Sequence, residues 1–208
     1  MAVEYRGCRG LVIAPVTKDD ATGYQTGAVI PLAPVGEISK SVETSSAAHY
    51  YDNKAAIVIN SEGNDTVAYT IAIPDDETLA LITGRVYNST TKQFIEAPRK
   101  EQYFAVGYIL GEVGEGEEEV YVWRYKGTFN IPDETSATKD DGTDANNMSL
   151  EYTGVYTQYQ FENGGGENVK SSAKAMRMKA SDVDETAFFG TVTTPDSELT
   201  EANANAEG

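Results

Sequence analysis

The chain has one cysteine, Cys8, and one histidine, His49. A single thiol excludes an internal disulfide framework. One Cys and one His exclude most Cys/His zinc sites and leave little room for a Ser-His-Asp type of triad. Leucine is scarce as well, 7 residues against 17 Val, 11 Ile, 21 Thr and 13 Tyr. Branched and aromatic side chains suit a pleated surface, so this balance predicts strands over helices. No apolar run approaches the roughly 18 residues that a membrane-spanning helix needs. The opening Met-Ala-Val-Glu-Tyr-Arg has no apolar stretch of the kind a secretory signal carries. The expectation is a protein made in a cytoplasm and soluble there. Basic residues number 16 against 33 acidic ones, for a formal charge of −17. That excludes a broad cationic footprint for nucleic-acid phosphates and for anionic membranes.

What is present is enough apolar material for one core. The 208 residues are 40% hydrophobic, too many for a fully disordered chain and suited to one domain. The reading is a mainly β domain over residues 1–192 and a disordered tail over 193–208, where Pro, Glu, Asn and Ala replace core residues.

Along the chain, Leu11–Ala14 is an apolar run, followed by a polar turn expected at Lys18–Asp20 and a flexible link between Gly23 and Gly27. Residues 35–45 alternate, with Glu37, Ser39, Ser41, Glu43 and Ser45 on one side and Ile38 and Val42 on the other, the period of a strand with one polar, acidic face. Residues 55–59 form a second strand candidate, so the pair reads as a long hairpin with a projecting tip, and 60–64 as the next turn. Val67, Tyr69, Ile71 and Ile73 share one face of a core strand over 66–73. Residues 74–84 are the best helix, with Asp75 as the N-cap, acidic residues in the first turn and Gly84 as the stop. Leu79 and Ile82 would pack it on a sheet. The strongest strand pair is 101–113 with 119–131, with Tyr121, Trp123, Tyr125, Phe129 and Ile131 expected on one face. A polar loop follows over 133–147, then a strand over 148–161. Val169–Ala180 is basic and reads as strand or irregular chain; 181–189 reads as a short helix.

Several features imitate chemistry. Lys139–Asn147 is rich in oxygen ligands but lacks the glycine and distal glutamate of a calcium loop. Gly164–Gly166 has no following Gly-Lys-Ser/Thr, so it is no phosphate loop. Three Asn-X-Ser/Thr sequons begin at Asn64, Asn88 and Asn147, without a secretory route to use them. Carboxylates are plentiful, but nothing singles out a glycosidase pair. No catalytic residue, metal ligand or cofactor is identified, and a hydrolase on a β scaffold is the weakest reading.

The block Val120-Tyr121-Val122-Trp123-Arg124-Tyr125-Lys126-Gly127-Thr128-Phe129 with its polar loop, the segment Met148-Ser149-Leu150-Glu151-Tyr152-Thr153 and the tip Tyr50-Tyr51-Asp52-Asn53 resemble those of major tail proteins, the tail-tube subunits of long non-contractile-tailed bacteriophages. The likeness is one of order and texture over residues 5–190. It implies a tail-tube-type β-sandwich or half-barrel with one short flanking helix and a long protruding hairpin. It implies six copies in a ring, rings stacked around a tape-measure protein and bounded by tail-tip and terminator proteins, and a virion tail tube, assembled in the host cytoplasm, that conducts DNA without adhering to it.

On that resemblance the tip residues His49, Tyr50, Tyr51, Asp52 and Asn53 would stack rings, and Glu37 and Glu43 would face the lumen. Each has a plainer alternative, the tip folded back on its own domain and the acidic face merely the wet side of a sheet. Glu112–Glu119 reads as a solvated hairpin turn. Two other functions stand beside the tail tube: the inner tube of a contractile injection machine, and a monomeric β-sandwich binding module with no partner copy.

Overall fold

The computed structural model describes residues 7–51, 54–111, 118–133 and 147–199. Strands dominate, in the order β1 (Cys8–Asp20), β2 (Gly23–Thr26), β3 (Ile30–Pro31), β4 (Val35–Tyr51) and β5 (Lys54–Ala72), then helix α1 (Asp76–Thr83). After it come β6 (Val86–Asn88), β7 (Gln93–Ile95), β8 (Phe104–Leu110), β9 (Val120–Phe129), β10 (Asn147–Gly154) and β11 (Ala175–Lys179), and a second helix, α2 (Glu185–Gly190). The fold is mainly β, as the residue balance predicts.

Nine strands make one antiparallel sheet along the path β2-β1-β8-β9-β10-β5-β4, with β3 added to β1 and β11 to β9. β6 and β7 form a separate two-stranded ribbon beside α1. The large sheet curls until β1 meets β4, and the curl encloses the first core. Ile13 of β1, Tyr69 of β5, Val106 of β8, Val122 of β9 and Leu150 of β10 meet there. Val67, Tyr69 and Ile71 are buried as the alternation predicts, whereas Ile73 lies past the end of β5 and is exposed. α1 covers the core with Ile82 and, less deeply, Leu79. Its ends are those read from sequence. Asp75 Oδ1 accepts from the Thr78 amide at 2.9 Å, and Gly84 takes φ +68°, the left-handed stop that glycine adopts without a Cβ penalty.

A second core lies on the outer face of β8 and β9. Ile109, Tyr121, Trp123 and Tyr125 are covered by Phe161, Val183, Phe188 and Val192 of the chain that follows β10. Trp123 Nε1 donates to the Phe188 carbonyl at 2.9 Å, so the indole's one polar group is satisfied inside the core. The central strands are therefore buried on both faces, β8 throughout except Leu110.

Several sequence expectations change. The single aromatic face proposed for 121–131 is split: Tyr121, Trp123 and Tyr125 enter the outer core and Phe129 the inner one, while Ile131 is exposed. The cause is a β-bulge. Phe104 pairs with Gly127 but Val106 with Arg124, so β9 holds one extra residue and its side chains change face. Residues 60–64 are not a turn but part of β5, paired with β4 through Ser46–Asn60, Ser45–Ser61 and Thr44–Glu62. The one extra residue of β5 is absorbed in a bulge opposite Glu43, where a Cβ on Gly63 would lie 3.0 Å from the Glu43 Cβ. Lys18–Asp20 is strand, and so is Gly23–Thr26 in place of the expected flexible link; the two pair in the hairpin β1–β2. Residues 193–199, expected in the tail, are packed in part: Thr193 is buried and donates to the Phe188 carbonyl at 2.8 Å, and Asp196 accepts from the amides of Glu162 and Asn163.

Candidate assembly surface

The hairpin β4–β5 outgrows its sheet. β10 pairs with β5 only from Asp65 to Ala72. From Lys54 to Asn64, β5 has β4 as its only strand neighbour among the described residues. A stretch of about ten residues at ~3.3 Å each makes an arm on the order of 30 Å long. An isolated two-stranded ribbon is marginal in water. Residues 43–48 are all exposed, and Ser45 and Ser61 exchange a 2.6 Å hydroxyl hydrogen bond across the strands.

Three of the residues read as ring-stacking fall on the far part of this arm. His49, Tyr50 and Tyr51 lie on β4, paired in backbone register with Ile57, Ala55 and Lys54. Asp52 and Asn53 lie outside the described residues. Glu37 and Glu43 are both exposed on β4, which ends the sheet path. Glu37 is near Cys8, whose thiol is pushed up first by burial and then by that carboxylate. The 133–147 loop and the Glu112–Glu117 run lie largely outside the described residues, so the ligand-rich 139–146 stretch does too.

At the root of the arm sits a charged cluster that the sequence reading passed over. Asp65, 2% exposed, receives Arg124 Nη1 at 2.9 Å and Lys40 Nζ at 3.0 Å on one oxygen, and Lys174 Nζ at 3.2 Å on the other. Lys174 also donates to Glu62 Oε1 at 2.8 Å and the Gly63 carbonyl at 2.5 Å, and lies 4.4 Å from the centroid of the Tyr156 ring. Arg124 Nε donates to the Tyr108 hydroxyl at 3.1 Å. Burial acts to raise the Asp65 carboxyl, but hydrogen bonds from Lys40, Arg124 and Lys174 outweigh it and hold the group below its usual value. The cluster ties β4, β5, β9 and the chain just before β11 together where the arm leaves the body.

One sequence signal could have found it. Arg124 interrupts Val120-Tyr121-Val122-Trp123, and a cation inside a strand buried on both faces requires a buried anion. The same holds for Lys126, whose Nζ donates to Asp19 at 2.6 Å. Asp19 in turn accepts from the amides of Gln158 and Tyr159, and so joins β1 to the chain after β10.

Among the described residues, no group of three or more His, Cys, Asp or Glu side chains is placed to hold a metal ion, and no helix is long and apolar enough to cross a membrane. The arrangement offers a projecting arm tied at its root by ion pairs. No protein-family model matches this chain, and no curated protein is significantly similar to it.

Proposed function

We propose that this chain is a structural virion protein, a tail-tube subunit that assembles through its sheet edge and its arm into stacked hexameric rings around a tape-measure protein, between tail-tip and terminator proteins. The observation that carries the reading is the arm. A monomeric binding module gains nothing from a ribbon of about ten residue pairs that leaves its own core, whereas a neighbouring copy can cover it. The strong charge-linked root at Asp65 supports the same reading, because an arm that docks on a neighbour must keep its direction. The negative composition fits a conduit for duplex DNA. DNA carries one charge per ~1.7 Å of axis, and an acidic wall repels it over a screening length of roughly 8–10 Å, enough to prevent adhesion without blocking entry.

The test is negative-stain microscopy of the concentrated full chain, beside a variant in which residues 47–59 are replaced by Asn-Gly so that the Ser46–Asn60 pair closes a two-residue turn. Rings or tubes from the full chain and unstacked rings from the short-armed variant are expected. A full chain that stays monomeric at every concentration, or a variant that still forms tubes, would overturn the proposal.

A further inference from the structure

A cavity of about 390 Å³ lies between β4 on one side and β8, β9 and β11 on the other. Its walls are apolar at Ile38, Leu110, Val122 and Met176. Its charged lining groups are all cationic, Lys40, Arg124 and Arg177, beside the Tyr108 ring, and Lys174 reaches the same Asp65. Lys40, Arg124 and Lys174 share two carboxylates, Asp65 and Glu62, and Arg177 adds a further cation, in a chain whose acidic residues outnumber basic ones 33 to 16.

Among these cations, the two guanidinium groups keep donors unused. Arg124 is 4% exposed. Its Nε is taken by Tyr108 and its Nη1 by Asp65, while its Nη2 has no hydrogen-bond partner among the described residues. Arg177 stands exposed on β11 with no ion pair among the described residues. A nearly buried guanidinium with a vacant nitrogen matches a carboxylate, which accepts a charge-assisted N–H bond from it. The apolar walls favour a carboxylate carried on a chain with apolar neighbours over a small hydrated anion.

We propose that this recess seats an acidic side chain of a second copy of the same protein. Copies at −17 repel one another over most of their surface; a recess with an excess of cations is where the acidic surface of another copy meets attraction. The contact is heterologous, recess on one copy and carboxylate on the next, the geometry that builds rings and filaments. It rests on the assembly reading for the identity of the occupant, and on the residue contacts for the recess itself.

The experiment uses the Arg177→Lys variant of the full chain, an equal mixture of isotope-labelled and unlabelled copies, and a carbodiimide that joins amine to carboxylate. Mass spectrometry should find mixed-isotope amide links from position 177 to an Asp or Glu. They should disappear at about 1 M salt, where the screening length falls to ~3 Å. Links confined to one isotope, or none from this position, would overturn the inference. In parallel, Arg177→Glu should weaken self-association by about tenfold or more in sedimentation at low salt, the size of one lost charge contact (about 1.4 kcal/mol). Association equal to that of the unmodified chain would overturn it. Rings in the microscope without mixed links would sink this inference and leave the tube; mixed links without rings would do the reverse.

Discussion

Asp65 and Arg124 meet at 2.9 Å inside the curled sheet, 59 residues apart in the chain and each less than one-tenth exposed. Lys174 adds a second buried cation to the same carboxylate at 3.2 Å. Neutralising the acid leaves Arg124 buried without its carboxylate and takes from Lys174 one of its two, Glu62 being the other. Asp65→Asn is therefore expected to cost about 3–5 kcal/mol of folding stability, read by urea unfolding at neutral pH. A loss under about 1 kcal/mol would show that the Asp65 charge is not what holds Arg124 in the fold.

The same carboxyl sets an acid limit. Its folded value lies below the ordinary one, so the folded state binds its proton less readily than the unfolded state. The stability it contributes is complete above the unfolded value of about 3.9 and is lost as pH falls from there through the folded value. A urea series from pH 6 to pH 3 should show stability falling below about pH 4, with a shallower fall in Asp65→Asn. Parallel profiles would assign the acid sensitivity to other groups.

Two buried tyrosines should respond in opposite directions. The Tyr69 hydroxyl is buried with no hydrogen-bond partner among the described residues, whereas the Tyr152 hydroxyl donates to the Phe104 carbonyl at 2.9 Å. Tyr69→Phe removes an unsatisfied polar group and should be neutral or stabilising by about 1 kcal/mol; Tyr152→Phe should destabilise by about 1 kcal/mol. Equal losses in thermal unfolding would mean that Tyr69 has a partner after all.

Gly127 admits no side chain. It sits where the β9 bulge ends, and a Cβ there would come within 2.3 Å of Tyr152 Cζ and 2.4 Å of the Thr153 carbonyl. Gly127→Ala should cost about 3 kcal/mol, at the upper end of overpacking effects. Gly190→Ala, where a Cβ would meet nothing within 4 Å, serves as the tolerated control. Similar melting temperatures for the two variants would count against the close packing of Tyr152 over β9.

The lumen assignment of Glu37 and Glu43 has its own test. In the tail tube proposed above, replacing both with lysine leaves exposed positions exposed and should leave tubes intact while slowing DNA release from particles that carry them, since each cation gains a phosphate contact and its counterion release. Release kinetics equal to those of unaltered particles would remove both residues from the bore.

The sequence by itself determined the strand-rich class, the alternating core strand through Val67, Tyr69 and Ile71, the pairing of the Phe104 and Val120 segments, and both ends of the helix that starts after Asp75. Those features rest on interactions within a few residues: the period of two, the cap, and the left-handed glycine. Only the tertiary structure decided which face each aromatic of β9 occupies, because one extra residue between Arg124 and Gly127 reverses the alternation and is defined by its partner strand. It also decided that residues 60–64 continue a strand, since polar residues there pair with β4 rather than turn. The pairing of Asp65 with Arg124, Lys40 and Lys174 depends on three separate segments arriving at one point. A charge in a sequence announces that it needs a partner when buried, but the curl of the sheet chooses which one.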